Sequence, residues 1–226
     1  PDAGSHAARI RHWLFDETLP LWSTKGVDHV HGGFHEALTL HAEPVARDKR
    51  MRTMGRQIYA FGVAHEMGWN GPALDLIEHG IRFIEKHGRS KNGGWVRTLG
   101  VDGSVSDSAE DAYDHSCILL ALAFALKAGH KDAARLGGET FAFIDRHLSA
   151  DSGASFLETS QGGTPRRSNP HMHLFEAFLA WHKVTGDKAH LDRAAKIVGL
   201  FTDHFFDSEF WTLGELFESD WEPAMG

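Results

Sequence analysis

Apolar residues recur along most of this chain at the three-and-four spacing of amphipathic helices, and short alternating segments interrupt them at regular intervals. The periodicity predicts helices over 5–22, ending near Pro20, then 50–69, 72–88 opened by Pro72, 109–128, 131–148, 169–185 and 187–206. The helix at 109–128 is apolar almost throughout after Tyr113, Asp114 and His115, so it is expected to be buried. Between the helices, 31–38, 92–99, 151–158 and 210–218 read as short strands or hairpin arms. These excursions begin near 32, 93, 152 and 211, roughly sixty residues apart with two helices in each interval, which is an internal repeat of helical hairpins. Within each pair one helix is more buried than its partner, as in two concentric layers that bury their inner helices by stacking on neighbours. The expected fold is all-α, a toroid or solenoid with its β excursions clustered at one end. Residues 1–226 read as one domain, with no linker or low-complexity tract. The hairpins amount to about three and a half, too few to close a ring of six, so either the ring is open or this chain is part of a longer one.

The stretch 168–177 concentrates the chemistry. Asn169 suits a helix N-cap, and Pro170 suits the first helical position, where a missing N–H costs nothing. At about 100° per residue, Asn169, His173, Glu176 and Ala180 share one stripe on a helix otherwise apolar nearly all round. Two outcomes fit: a capped core helix whose histidine is satisfied by a neighbour, or an inner helix that points Asn169, His173 and Glu176 into a polar pocket. Two other predicted inner helices also start with polar clusters, Arg52 and Arg56 with Tyr59, and Tyr113 with Asp114 and His115. Asp114 and His115 lie about 100° and 200° round from Tyr113, so at most some of the three face a cavity. For Arg56 the alternative is an ion pair with Glu66 or Asp48. In a toroid these helix ends converge on one mouth, and an Arg, a Tyr, a His, an Asn and a Glu there would suit a polyhydroxylated ligand.

Composition narrows the classes. Hydrophobic residues make up 42% and aromatics 11%, enough for a substantial core. A net charge of −8 and the lack of a basic stripe argue against a nucleic-acid partner. The single cysteine, Cys117, rules out an internal disulfide framework and fits a reducing compartment, so a cytoplasmic protein is expected. No apolar run approaches a membrane span, and the N-terminus lacks a signal-peptide core. His171 and His173 look like a metal-ligand pair, but helix positions i and i+2 point about 160° apart. No H-E-x-x-H, cysteine cluster, G-x-G-x-x-G, Walker A or G-x-S-x-G motif is present, so neither metal nor cofactor is expected.

Arg56-Gln57-Ile58-Tyr59-Ala60-Phe61, Ala112-Tyr113-Asp114-His115, Asn169-Pro170-His171-Met172-His173-Leu174-Phe175-Glu176-Ala177 and Glu222-Pro223-Ala224-Met225-Gly226 resemble the N-acylglucosamine 2-epimerase family. That family includes metal-independent mannose isomerases, bacterial proteins described as mannose-6-phosphate isomerases, and cellobiose 2-epimerases. The resemblance implies an (α/α)6 barrel, of which this chain matches the N-terminal part. It makes His173 and Arg56 the expected catalytic residues, with Tyr113 and Asn169 binding sugar; Glu176 and Arg52 join them from the polar clusters. A His-x-x-Glu-Trp helix start, the family's next hallmark, is expected immediately beyond Gly226.

The implied chemistry is aldose–ketose isomerisation of D-mannose or mannose 6-phosphate through an enediolate. Imidazole, with a reference pKa near ~6.5, takes and returns protons around neutrality. The alternatives are 2-epimerisation or a non-catalytic sugar-binding role. A glycoside-processing enzyme would need a second carboxylate facing Glu176, for which Asp114 is the candidate. Arg166 and Arg167 would serve a phosphate. The expected partner is a small-molecule sugar, with no membrane, and a homodimer is allowed.

Overall fold

A computed structural model describes residues 3–224, so Met225 and Gly226 of the last motif lie outside the described residues. The chain is mainly α. Helix α1 (Ala3–His12) runs through a π-helical turn, Trp13–Thr18, into α2 (Leu19–Thr24). Then come α3 (Met51–Glu66), α4 (Ala73–His87), α5 (Ala112–Lys127), α6 (Ala133–Phe143), α7 (Ser168–Thr185) and α8 (Lys188–Leu200). The helix predicted to end near Pro20 continues to Thr24 instead. The wide π turn directly ahead shifts the carbonyl register that the proline ring would otherwise meet, so Pro20 sits at the start of a new helical segment.

Helices α3, α5 and α7 stand side by side with α5 between the other two, and α4, α6 and α8 back onto them in turn. The back row is itself continuous. Arg135 of α6 pairs with Glu85 of α4 at 2.7 Å, and Arg193 of α8 pairs at 2.5 Å with Asp145, in the π turn Ile144–Leu148 that follows α6. The apolar α5 is accordingly the most enclosed helix, with Ile118, Leu119, Ala121, Leu122 and Ala123 fully buried. Gly55 of α3 lets two backbones meet: a Cβ there would lie 2.9 Å from the Cys117 carbonyl carbon of α5.

The predicted strands prove very short, because each excursion is mostly turn. β1 (Lys49–Arg50), β2 (Thr98–Leu99) and β3 (Val105–Asp107) form one small antiparallel sheet. β4 (Ser149–Ala150) pairs with β5 (Ser155–Phe156), β6 (Arg166–Arg167) with β9 (Leu216–Phe217), and β7 (Phe206–Asp207) with β8 (Thr212–Leu213). Segment 31–38 forms only isolated bridges. What each excursion contributes is one buried aromatic: Phe34, Trp95, Phe156 and Phe217, evenly spaced at about sixty residues.

The first three of these aromatics are fastened to an inner helix by the same device. The Phe34 N–H donates to Met54 Sδ at 3.5 Å, the Trp95 N–H to His115 Nε2 at 3.0 Å, and the Phe156 N–H to His171 Nε2 at 3.0 Å. Met54, His115 and His171 are each the fourth residue of their helix. Since Nε2 accepts, Nδ1 carries the proton and donates to the carbonyl one turn back, Asp111 O or Arg167 O, at 2.8 Å in both cases. Burial pushes the pKa of both imidazoles down to about 4. His115 therefore does not belong to the mouth cluster, and His171 is neither a ligand nor free.

Candidate active site

The start of each inner helix fixes what it offers. α3 begins at Met51, α5 at Ala112 and α7 at Ser168, so their second residues are Arg52, Tyr113 and Asn169. The sixth are Arg56, Cys117 and His173, and the ninth are Tyr59, Leu120 and Glu176. Steps of four and three keep these positions on one face of each helix. The faces turn toward one another around a hollow of about 150 Å³, lined by Arg56, Tyr59, Ser116, Cys117, Leu120, His173 and Glu176.

Around this hollow the side chains are tied together. The Arg56 guanidinium donates a hydrogen bond to the Tyr113 hydroxyl. The Tyr113 ring packs against His173 with centroids 4.8 Å apart, and Arg52 and Arg56 lie 5.3 and 5.4 Å from its centroid. His173 Nδ1 lies 3.5 Å from Glu176 Oε2, one turn further along α7. His173 is partly buried and Glu176 half exposed, so this face is open to a ligand. Burial raises the Tyr113 phenol despite the two nearby guanidiniums, and it raises Tyr59, where Glu176 and Glu66 add to the effect. Cys117 is pushed up to about 11 by burial, so a neutral thiol forms part of the floor.

The expected residues divide accordingly. Arg56, Tyr113, His173 and Glu176 converge. Arg52 lies nearer the mouth, held by Asp114, whose Oδ1 accepts the Arg52 backbone N–H at 3.0 Å and lies 3.2 Å from Arg52 Nε. Asn169 occupies the position on α7 equivalent to Arg52 and Tyr113; its side chain is half-buried and free of hydrogen bonds among the described residues. It is not the N-cap. That place belongs to Arg167, and Pro170 is the third helical residue, still within the first turn. Tertiary pairing does the capping: the Ser168 N–H donates to Glu215 O at 3.1 Å and the Arg167 N–H to Glu158 at 2.7 Å.

Three other expectations are overturned. Glu66 pairs with Lys127 at 2.5 Å, not with Arg56. Asp114 is fully buried against the start of α3, so no carboxylate pair forms across the hollow with Glu176. Arg166 is taken by Asp151 at 3.1 Å and lies over Trp221, and Arg167 lies beside Glu158 at 4.0 Å, so neither faces the hollow. Larger clefts, of about 490 Å³ beside Trp221 and 970 Å³ beside Arg97 and Glu110, lie outside this convergence. Among the described residues no group of His, Cys, Asp or Glu is arranged to hold a metal ion. Cys117, Ser116 and Leu120 escaped the sequence reasoning, although counting from each helix start would have placed Cys117 level with Arg56 and His173.

Three comparisons bear on this site. The sequence profile of the N-acylglucosamine 2-epimerase (GlcNAc 2-epimerase) family matches residues 32–226. The chain is 35% identical over 230 residues to a mannose-6-phosphate isomerase of Rhizobium meliloti (strain 1021), covering all of this chain and 59% of that protein. It is 32% identical over 173 residues to a D-mannose isomerase of Thermobifida fusca, covering 74% of this chain and 42% of that one. In fold it resembles cellobiose 2-epimerase from Bacillus thermoamylovorans B4167, with a TM-score of 0.90, 19% identity, and coverage of 98% of this chain and 62% of that one. The chain thus spans about half the length of the curated relatives it matches.

Proposed function

The chain belongs to the N-acylglucosamine 2-epimerase family, and from that premise we propose that it supplies part of the active site of a metal-independent sugar isomerase. The reaction we assign is interconversion of D-mannose, or mannose 6-phosphate, with the matching ketose. We read residues 1–226 as one domain, the first part of an (α/α)6 barrel. The observation that carries this proposal is the meeting of Arg56 from α3 and His173 from α7 at one hollow, with Tyr113 from α5 in contact with both.

In the proposed reaction the opened aldose binds with its C1–C2 end toward His173. Removing the C2 proton leaves an enediolate, whose negative oxygen needs a fixed cation or donor, and Arg56 provides both. Tyr113 holds Arg56 by accepting its hydrogen bond and offers its ring edge to the sugar. Glu176, 3.5 Å from His173 Nδ1, orients the imidazole, while Asn169 and Arg52 bind hydroxyls toward the mouth. Returning the proton to C1, as the O2 hydroxyl proton passes to O1, gives the ketose. Returning it to C2 from the opposite face gives the epimer, so isomerase and epimerase share the first step. With Arg166 and Arg167 both turned to carboxylates, free D-mannose is the preferred substrate over its phosphate.

The test is to incubate the intact protein with D-mannose or mannose 6-phosphate in excess chelator and to assay the matching ketose. Ketose from D-mannose at an undiminished rate, lost by about 10²–10⁴-fold in His173→Ala, is the expected result. Full turnover by His173→Ala, or dependence on added metal, would overturn it.

A further inference from the structure

Asp114 is fully buried, yet it lies one helix away from the backbone it serves. α5 already has its own cap: Asp111 Oδ1 accepts the Tyr113 and Asp114 N–H groups at 2.8 and 3.1 Å. α3 lacks one, since its N-cap Arg50 makes no side-chain capping bond. Asp114 fills that role from outside, taking the Arg52 N–H at 3.0 Å through Oδ1 while Oδ2 stays buried without a partner. A negative group at a helix N-terminus is favoured by the helix dipole, here across an inter-helix gap that Gly55 keeps narrow.

We infer that Asp114 is a positioning residue: its carboxylate pins the first turn of α3 to α5 and thereby sets Arg52 and Arg56 against Tyr113. The inference rests on the proposed site, because Arg56 and Tyr113 are the groups being set. The charged groups facing Asp114 are Asp111 on its own helix, Arg52 on α3 and Arg97 beside β2. Burial and the neighbouring Asp111 push its carboxyl up to about 7, against the pull of Arg52 and Arg97. The pin is therefore strongest above neutrality and weakens as the carboxyl takes a proton.

The readout needs no sugar. Residues 1–226 hold two tyrosines, Tyr59 and Tyr113, so in ¹³Cζ-tyrosine NMR of the intact protein the signal lost in Tyr113→Phe is assigned to Tyr113 and the one lost in Tyr59→Phe to Tyr59. The Tyr113 signal is expected to move with a midpoint near pH 7 and to lose that step in Asp114→Asn. Arg52→Gln, which removes the facing cation, is expected to move the step to higher pH. His173 also adjoins the ring, and His173→Gln is expected to leave the step in place.

Melting temperature separates positioning from plain structural support. Because the folded-state pKa is raised, the buried charge costs stability as pH rises through the window between the ordinary carboxylate range and about 7. Asp114→Asn should therefore melt at or above the wild-type temperature at pH 8. A step that survives in Asp114→Asn, or disappears in His173→Gln, would overturn the inference, as would a lowered melting temperature with an unchanged Tyr113 signal. Failure to convert D-mannose with an intact Tyr113 step would refute the proposed reaction and leave the positioning role standing.

Discussion

The two buried histidines make the acid response of this fold calculable. His115 and His171 are neutral acceptors whose pKa values are pushed down to about 4, against about 6.5 for an exposed imidazole. Below 6.5 the unfolded chain binds protons that the folded chain refuses. The stability these two histidines contribute is therefore complete above about pH 6.5 and is lost as the pH falls toward 4. Each histidine contributes a loss of about 2 kcal/mol between pH 7.5 and 5.0, or about 4 kcal/mol for the pair. The fold itself suggests the perturbation, since Met54 performs the same task in the first repeat with a sulfur that does not titrate. His115→Met or His171→Met should cost about 1 kcal/mol at pH 7.5, where sulfur is the poorer acceptor. Each should also flatten the acid limb by about 2 kcal/mol, so the variant overtakes wild type at about pH 5.8 and is the more stable by about 1 kcal/mol at pH 5. Urea denaturation at half-unit steps from pH 4.5 to 7.5 measures this directly, because carboxylate contributions cancel between wild type and variant. An acid limb with the same slope in the variants would refute the neutral-acceptor assignment.

Three further outcomes follow from other contacts. Gly55→Ala drives a methyl group into the Cys117 backbone, 2.9 Å away, and should cost about 1–3 kcal/mol in chemical denaturation. Lys49 is buried against Asp28 at 2.7 Å and also donates to Gly32 O at 2.7 Å, so Lys49→Met should cost about 3–5 kcal/mol, with Asp28→Asn in the same chain recovering part of the loss. Burial raises the Asp28 carboxyl, but the His31 N–H and the Lys49 ammonium outweigh it and hold the group at about 2. The stability Asp28 supplies above the ordinary carboxylate range should therefore fade as pH drops toward 2, and that fading should be absent from Asp28→Asn melts.

Much of the helical order was legible because it is local. Apolar periodicity placed α3, α4, α5 and α7 close to their observed limits, and the ranges predicted for α6 and α8 take in the π turns Ile144–Leu148 and Phe201–Phe205 that extend them. The spacing of Gly-aromatic segments exposed the repeat. What escaped depends on distant partners. The start of α7 is decided by Glu215 and Glu158, so no inspection of Ser168-Asn169-Pro170 alone could show that Asn169 is left free for other work. Asp114 and His115 looked like candidates for the mouth until the backbone groups that claim them, Arg52 N and Trp95 N, came from other elements. Pro20 misled because a π turn is a property of hydrogen-bond register that side-chain pattern does not announce.

The clamp at the fourth residue of α3, α5 and α7 lies roughly opposite the second, sixth and ninth on each helix. Assembly and recognition are thereby written on separate surfaces of the same rod. The inward surface is free to trade a guanidinium for a thiol or an imidazole from one repeat to the next, while the outward one keeps every hairpin docked. A lineage built this way can change what it grips without renegotiating how it stands.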